Sequence, residues 1–232
     1  MRAKSVAVVT GLLMLLAGGT PSASAAPQAR AVDCARLKCI ALTYDDGPAA
    51  ASTGALLAHL RARGAKATFF MVGAQAARHP AMAARVAAGG HEIGNHTYSH
   101  KDLRKLSPAK IRTEVARSAA AIRRATGRTP ALMRPPYGAH DAKVRSAVGA
   151  PLIMWSIDTR DWADRNASVV ASRVIAQARP GAIVLMHDIH ATTAAAAPRI
   201  LDTLAKRGYT FVTVSELLGN RRLAKGAVYA KR

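Results

Sequence analysis

The sequence predicts an α/β fold of parallel strands, arranged as a distorted (β/α) barrel of about seven strands in a single domain. Short apolar runs of strand length recur along the chain, and alanine-rich segments with helical periodicity lie between most of them. Strands that alternate with helices pair in parallel, and an open doubly wound sheet is the alternative arrangement. The predicted strands cover residues 39–44, 67–72, 91–95, 131–134, 151–157, 182–187 and 209–214.

Serine, proline and glycine mark the boundaries of several predicted helices. A serine hydroxyl can accept a hydrogen bond from the first turn, proline suits the first helical position, and glycine commonly ends a helix. No G-x-G-x-x-G pattern or P-loop follows a predicted strand, so the sequence gives no support for nucleotide binding. The predicted boundaries are Ser52 to Gly64, Ser107-Pro108 to Gly127, and a cap at Ser168.

The first 25 residues have the order of a secretory signal peptide. A short basic segment, residues 1–4, precedes an uncharged apolar run over 6–18, and Ala23-Ser24-Ala25 fits an A-x-A cleavage site. An uncleaved membrane anchor is the alternative, but the apolar run is short for spanning a bilayer. We therefore expect an exported protein without a later transmembrane segment. Residues 26–37 form an N-terminal segment, and 219–232 form a basic tail that we expect to be frayed.

The chain is strongly basic, with 34 Lys and Arg against 13 Asp and Glu and a formal net charge of +21. Such a charge favours an anionic partner. Nucleic acid is disfavoured, because the cations are scattered over predicted helix faces without the aromatic side chains that stack on bases. An anionic cell wall suits an exported basic protein better. The alternative is a biased composition with a merely solvated basic surface.

The two cysteines, Cys34 and Cys39, follow the predicted signal peptide closely. In an oxidising compartment we expect them to form one disulfide. A loop this short removes little entropy from the unfolded chain, so the bond would mainly fix the N-terminal segment.

Reactive residues are concentrated where the predicted strands end. The clusters are TYDDGP after the first strand, NHTYSH after the third, RPPYG after the fourth, DTRDW after the fifth and LMHD after the sixth. The carboxyl ends of parallel strands meet at one edge of a barrel, which is where active sites of such barrels assemble. The five clusters therefore predict one active site at that edge.

The pair His96 and His100 predicts a metal site. The two imidazoles share a face if the segment after the third strand is helical, and one carboxylate of Asp45 and Asp46 would complete a set of two nitrogens and one oxygen. Adjacent strand residues point to opposite sides, so one aspartate would bind metal while the other acts as general base. The spacing leaves open which does which. The alternatives are capping or core histidines and a polar turn at DDGP.

These five clusters resemble the motifs of the polysaccharide deacetylase family, carbohydrate esterase family four, which shares its domain with rhizobial chitooligosaccharide deacetylases. TYDDGP, HTYSH, RPPYG, DTRDW and LMH stand in the order of that family, and the resemblance covers roughly residues 38–218, the predicted catalytic domain. One departure is Tyr44, where the family usually has phenylalanine; the change is conservative.

The resemblance implies a metal centre and a general base. Asp46, His96 and His100 would bind a divalent metal, usually zinc, with another such as cobalt also possible. Asp45 would be the general base and would be held by a salt bridge to Arg134.

The resemblance also implies an acid and a pocket for the acetyl group. His187 would protonate the leaving amine, with Asp161 orienting its ring. The backbone N–H of Tyr137 would stabilise the oxyanion, and Trp162 and Leu185 would enclose the acetyl methyl group.

The sequence therefore predicts an exported, metal-dependent hydrolase that removes N-acetyl groups from GlcNAc-type sugars of peptidoglycan or chitin oligomers. We expect a monomer. Two alternatives stay open: an O-deacetylase of acetylated xylan, and a non-catalytic basic protein that binds the cell wall. The loops that would select the polymer carry no recognisable motif.

Overall fold

The computed structural model describes residues 1, 3–5, 7 and 32–232. In the range 32–232 the strands are β1 (Lys38–Asp45), β2 (Thr68–Met71), β3 (Glu92–Asn95), β4 (Leu152–Ile153), β5 (Ile157–Asp158), β6 (Ile183–His187), β7 (Tyr209–Phe211) and β8 (Val228–Tyr229). The α-helices of the same range are α1 (Thr53–Ala62), α2 (Gly73–Arg78), α3 (Pro80–Ala88), α4 (Pro108–Thr126), α5 (Ala142–Val148), α6 (Asp161–Asp164), α7 (Ala167–Gln177), α8 (Ala191–Lys206) and α9 (Val214–Leu217). Short 3₁₀ helices cover Leu103–Lys105 and Pro136–Gly138.

The strands pair in parallel around a barrel. The main sheet has the order β3-β2-β1-β6-β5, and β7 pairs with the first residues of β1. Parallel bridges from Asn95 to Met133 and from Met133 to Leu152 lead on from β3 to β4, which pairs with β8. β4 and β5 lie in one short segment, residues 152–158. Because β5 pairs with β6, and β6 with β1, the path of paired strands closes on itself. The predicted α/β fold is confirmed, and this pairing favours the barrel over the open sheet.

The side chains of β1 point alternately to the outer apolar core and into the barrel, because successive side chains of a strand lie on opposite faces. Leu42 and Tyr44 belong to the large apolar core that also contains buried residues of α1 and α8. Thr43 and Asp45 point into the barrel, where both side chains lie within hydrogen-bonding distance of the Arg134 guanidinium. The carboxyl end of β1 therefore delivers a carboxylate to the barrel mouth.

The predicted strand at 131–134 does not form a regular strand and is reduced to two isolated parallel bridges of Met133, with backbone hydrogen bonds from Asn95 N–H to Leu132 O and from Arg134 N–H to Asn95 O. Prolines flank this segment at Pro130 and Pro135, and proline has no N–H to donate to a ladder.

The predicted strand at 151–157 is split into β4 and β5. The carbonyl oxygens of Ile153 and Met154 accept hydrogen bonds from Arg134 Nε and Nη2, at 2.9 and 3.1 Å. Because these carbonyl oxygens bond to the buried guanidinium of Arg134, regular strand pairing is interrupted between β4 and β5.

Two further predictions near the C-terminus need correction. The predicted strand at 209–214 ends at Phe211, because Thr213 and Glu216 form a capping box that begins α9. The basic tail at 219–232 is not frayed, since β8 lies within it and pairs with β4. Its apolar pair Val228–Tyr229 supplies a strand that basic composition alone does not reveal.

The predicted helix caps are partly confirmed. Ser107 accepts a hydrogen bond from the first turn of α4, and Gly127 ends that helix in the left-handed conformation. Ser52 occupies the cap position of α1, but its hydroxyl donates to a carbonyl of the loop after β6 and makes no capping bond. Asn166, and not Ser168, caps α7, because its side-chain oxygen accepts from two backbone N–H groups.

The N-terminal part of the chain is only partly described. The predicted signal peptide, residues 1–25, and the beginning of segment 26–37 lie outside the described residues, except for isolated positions near the start. One compact unit covers 31–232. The predicted disulfide between Cys34 and Cys39 is present and ties the preceding segment to β1. Among the described residues, no helix combines the length and apolarity needed to cross a membrane.

Candidate active site

A cavity of about 410 Å³ opens at the carboxyl ends of the barrel strands. All five sequence clusters contribute side chains to its walls or to the groups directly behind them, as their positions at the strand ends predict. The lining residues are Asp45, Asp46, His96, His100, Tyr137, Gly138, Trp155, Asp158, Trp162, Leu185 and His187.

Both aspartates of the DDGP segment face this cavity. Asp45 is the last residue of β1, and Asp46 lies beyond the strand with φ of 76°, in the left-handed region. The two side chains do not point to opposite sides, because strand alternation no longer applies where the backbone turns at Asp46; the expected division of roles between them stays a prediction. Asp46 Oδ1 lies 3.4 Å from His96 Nε2 and 3.2 Å from His100 Nε2.

The two histidines meet through an irregular loop. The segment that follows β3 is not helical: Thr97 and His100 have φ of 65° and 55°. The ring centroids of His96 and His100 are nevertheless 5.0 Å apart. His96 Nδ1 lies 2.7 Å from the carbonyl oxygen of Arg134. Because a carbonyl only accepts, Nδ1 carries a proton, so Nε2, which faces Asp46, is the ring nitrogen that a metal could use.

Asp46, His96 and His100 fit a divalent cation. One ligand atom from each lies within 4.8 Å of the others, and buried Asp46 Oδ1 has no hydrogen-bond partner among the described residues. Burial raises the pKa of Asp46, but the neighbouring imidazoles of His96, His100 and His187 outweigh it and lower the pKa to about 2. Burial lowers the pKa of His100. An ionised carboxylate beside imidazole nitrogens is the donor set of catalytic zinc sites.

Asp45 is held by a buried arginine. Arg134 Nη1 lies 2.7 Å from Asp45 Oδ1, and both residues are almost fully buried. The second carboxylate oxygen, Oδ2, lies 3.8 Å from His96 Nε2 and so faces the three candidate ligands. Burial lowers the pKa of Arg134, against the opposing effect of Asp45. One carboxylate oxygen of Asp45, Oδ1, is thus held by Arg134, while the other, Oδ2, faces the cavity.

His187 at the end of β6 is oriented by Asp161. Asp161 Oδ1 lies 2.8 Å from His187 Nδ1, and Asp161 Oδ2 accepts from the His187 backbone N–H and from Thr193 Oγ1. Burial lowers the pKa of His187, but the Asp161 hydrogen bond and the charges of Asp45, Asp161 and Asp46 raise it to about 9. At neutral pH the imidazole is therefore protonated and can donate from Nε2.

The remaining predicted residues form the open side of the cavity. Tyr137 has φ of 61°; the residue is 70% exposed, and its ring stands edge-on to His100. Trp162 is 50% exposed, whereas Leu185 is buried in the cavity wall. An exposed aromatic pair above a buried apolar wall can contact a sugar face while enclosing a small methyl group.

Sequence reasoning missed two residues of the cavity wall, Trp155 and Asp158. Trp155 lies in a predicted strand, and Asp158 received no role although it opens the DTRDW cluster. Asp158 Oδ1 accepts from the backbone N–H of Arg160, which shapes the turn into α6. An aromatic residue followed closely by an acid at a strand end was the available signal.

Comparison with known proteins places these residues in a family. Residues 33–150 match the family model described as polysaccharide deacetylase. Peptidoglycan-N-acetylglucosamine deacetylase PgdA of Listeria monocytogenes is 44% identical over 184 residues, which are 79% of this chain and 40% of that protein. This chain thus spans well under half of the Listeria protein's length.

Solved structures show the same architecture. A structure of T48 deacetylase with substrate has a TM-score of 0.83 and 40% identity, covering 86% of this chain and all of the other. A family 4 acetyl xylan esterase from Clostridium thermocellum, in complex with a cobalt ion, has a TM-score of 0.78 and 33% identity, covering 83% and 98% of the two chains. This chain belongs to the polysaccharide deacetylase family.

Proposed function

We propose that this chain is a metal-dependent hydrolase that removes the N-acetyl group of GlcNAc-type sugars in peptidoglycan or chitin oligomers. One observation carries the proposal: a single cavity brings together a metal-ligand set, a carboxylate held by Arg134 and a protonated imidazole held by Asp161. Amide hydrolysis needs these three functions, since water must be activated, negative charge stabilised and the departing nitrogen protonated.

Asp46, His96 and His100 would hold the metal, which we propose to be zinc, with cobalt as an alternative. A divalent metal bound there would supply Lewis-acid chemistry, polarising the acetyl carbonyl and lowering the pKa of water. The His96 ring is held ready for this role by its bond to the Arg134 carbonyl, which leaves Nε2 as the ligand atom.

Asp45 would act as the general base. Arg134 holds Oδ1, so Oδ2 is the oxygen that can take a proton from water attacking the acetyl carbon. The backbone N–H of Tyr137 would donate to the oxyanion that forms at the former carbonyl oxygen, where such a donor contributes about 3 kcal/mol.

His187 would act as the general acid. Nδ1 is engaged with Asp161, so the Nε2 proton is the one available to the leaving nitrogen. An amide nitrogen leaves poorly as an anion and needs this proton before the C–N bond breaks. Asp45 and His187 are register partners on the adjacent strands β1 and β6, so the barrel fixes base and acid side by side.

The substrate class is supported by the cavity wall and by the relatives. Leu185 and Trp162 would enclose the acetyl methyl group, and exposed Tyr137 would contact the sugar. The Listeria relative is a peptidoglycan-N-acetylglucosamine deacetylase. We also propose that a monomeric catalytic domain, predicted at 38–218, acts after export directed by residues 1–25. The basic character of the chain, with a formal net charge of +21 over all 232 residues, favours contact with an anionic wall.

Removal of O-acetyl groups from xylan is the second candidate. It is supported by the likeness to the Clostridium thermocellum acetyl xylan esterase. The same base and metal ligands can serve an ester, but an alkoxide leaves more easily than an amide anion. An esterase would therefore depend less on the protonated His187.

The test is acetate release by the zinc-loaded protein from peptidoglycan, chitin oligomers and acetylated xylan, measured in parallel for wild type and His187→Asn. Release from the first or second that falls at least about a hundredfold in the variant supports the N-deacetylase. Release from xylan alone, with little effect of the variant, favours the esterase. If the protein binds zinc but releases no acetate from any of the three substrates, a non-catalytic protein that binds the wall is favoured.

A further inference from the structure

We propose that Glu114 of α4 is a positioning residue for the loop between His96 and His100, and that it sets the affinity of the site for its metal. The inference rests on the proposed metal-dependent function. Glu114 lies outside the cavity wall, on a helix that contributes no candidate ligand, and the motifs of the site do not include it.

The Glu114 carboxylate bonds to the middle of the loop. Oε2 accepts from the backbone N–H of Tyr98 at 3.1 Å and of Ser99 at 2.8 Å. Oε1 accepts from Ser99 Oγ at 2.8 Å. The residue is 8% exposed, so these three hydrogen bonds form in a setting where water competes little. One carboxylate thus satisfies every donor of two consecutive loop residues apart from the tyrosine hydroxyl.

The opposite side of the loop is held by α2. The N–H groups of Gly73 and Ala74, in its first turn, donate to the carbonyl oxygens of Thr97 at 2.9 Å and Tyr98 at 3.1 Å. Gly73 also lies against α4, where an added Cβ would come within 2.6 Å of Ser118 Cα. The loop is therefore clamped between two closely packed helices: α2 takes its carbonyl groups and Glu114 takes its N–H groups.

The loop needs such a clamp because its backbone is strained. Thr97 has φ of 65°, in a region that β-branched residues rarely adopt, and His100 has φ of 55° in the same left-handed region. Strained residues of this kind persist only where surrounding contacts over-determine them. Local bonds help, since Asn95 Oδ1 accepts from the Thr97 N–H and Thr97 Oγ1 accepts from the His100 N–H. Neither of them reaches Tyr98 or Ser99.

The two histidines depend on this clamp to different degrees. His96 follows β3 directly, and its ring is fixed by the Arg134 carbonyl. His100 stands on the far side of the clamped segment, and its ring is half-buried against Tyr137. Loss of the Glu114 bonds should therefore release His100 from the geometry shared with Asp46 while leaving His96 in place.

Glutamine at position 114 is the sharpest probe. It keeps the size of the side chain but replaces the carboxylate with a neutral amide, whose NH₂ group can face only Ser99 Oγ and whose single oxygen must serve both loop N–H groups, so the charge-assisted hydrogen bonds are lost. Glu92 offers a matched control, because its carboxylate accepts from Thr68 Oγ1, Ser215 N–H and Ser215 Oγ at the opposite end of β3. Glu92→Gln makes the same replacement of a carboxylate by a neutral amide, far from the metal ligands.

The experiment measures zinc affinity by competition with a coloured chelator for wild type, Glu114→Gln, Glu92→Gln and Ser99→Ala. The expected result is a weakening of about 10- to 100-fold for Glu114→Gln, the range for partners that orient metal ligands. Ser99→Ala, which loses one bond of the three, should give a smaller loss, and Glu92→Gln should leave affinity unchanged. Ser99→Ala keeps the test decisive if Glu114→Gln does not fold.

Wild-type zinc affinity in Glu114→Gln, or an equal loss in Glu92→Gln, would overturn the positioning role. At saturating zinc, Glu114→Gln should recover at least about half of wild-type acetate release; a large loss of turnover with unchanged affinity would also contradict it. A wild-type protein that binds no zinc would overturn the metal site itself, whereas wild-type binding with affected variants but no acetate release would contradict only the proposed reaction.

Discussion

Arg134 and Asp45 form an ion pair inside the barrel, with Nη1 2.7 Å from Oδ1. The guanidinium also donates to Thr43 Oγ1 and to the carbonyl oxygens of Ile153 and Met154. One buried side chain therefore orients the proposed general base and also donates hydrogen bonds to the backbone carbonyl groups at the end of β4. The stability of the barrel and the chemistry of the site are coupled through this residue.

Replacing Arg134 by lysine should lower the free energy of unfolding by about 3–5 kcal/mol, the range for breaking a buried ion pair. Lysine presents one compact ammonium and cannot reach acceptors on three sides as a planar guanidinium does. Urea unfolding measures the change. Arg173→Lys is the control, since Arg173 and Asp164 form a partly exposed ion pair, and its effect should stay below about 1 kcal/mol. Equal effects of the two variants would refute the coupling.

The pH at which kcat falls on the alkaline side should depend on Asp161. His187, with its pKa raised to about 9, is protonated below that pH and loses its proton as the pH rises through it. Asp161→Asn removes the hydrogen bond and charge that raise this pKa, so the alkaline limb of kcat should move to lower pH, and kcat at neutral pH should fall at least about tenfold. Asp164→Asn, on the same short helix, should leave the profile unchanged. An unmoved alkaline limb in Asp161→Asn would rule out His187 as the general acid.

Gly47 is required because Asp188 occupies the space beside it. A Cβ on Gly47 would lie 2.1 Å from Asp188 Oδ2. Gly47→Ala should therefore lower the free energy of unfolding by about 1–3 kcal/mol, measured by urea unfolding. Gly54→Ala in α1 is the control, since its Cβ would meet Met82 at an ordinary 3.4 Å; it should be neutral or stabilising by up to about 1 kcal/mol.

The double variant Gly47→Ala with Asp188→Ala tests the cause of that strain. Asp188 is buried, and burial, opposed by the hydrogen bond from Thr53 and reinforced by the charge of Asp46, raises its pKa to about 7. If this carboxyl is what the new methyl group meets, the double variant should lose less stability than the sum of the single variants. Additive losses would show that the strain arises elsewhere.

The barrel and the edge that carries the candidate site could be predicted because apolar strands and strand-end clusters are local signals. The clusters stand at the carboxyl ends of β1, β3, β5 and β6 and after Met133, as parallel pairing requires. The roles within DDGP could not be derived from strand alternation, because Asp46 takes a left-handed backbone that aspartate adopts only in suitable tertiary surroundings.

Other features depend on contacts between distant parts of the chain. The split between β4 and β5 follows from Arg134, and the pairing of β8 follows from a neighbour some 75 residues away in sequence. The loop of His96 and His100 is shaped by α2 and α4, so the two imidazoles lie close together although the helical interpretation of their i, i+4 spacing was wrong. Two-residue strands and strained loops carry no periodic signal to detect.

The most direct test of the account is a zinc titration of the metal-depleted wild-type protein, followed by acetate release from N-acetylated chitin oligomers and peptidoglycan. We predict negligible release without metal and a plateau at about one zinc per chain, with His96→Ala at least about a hundredfold lower at that point, because Lewis-acid chemistry contributes several kcal/mol. Undiminished release from metal-depleted wild type, or full activity of His96→Ala, would contradict the metal-dependent mechanism.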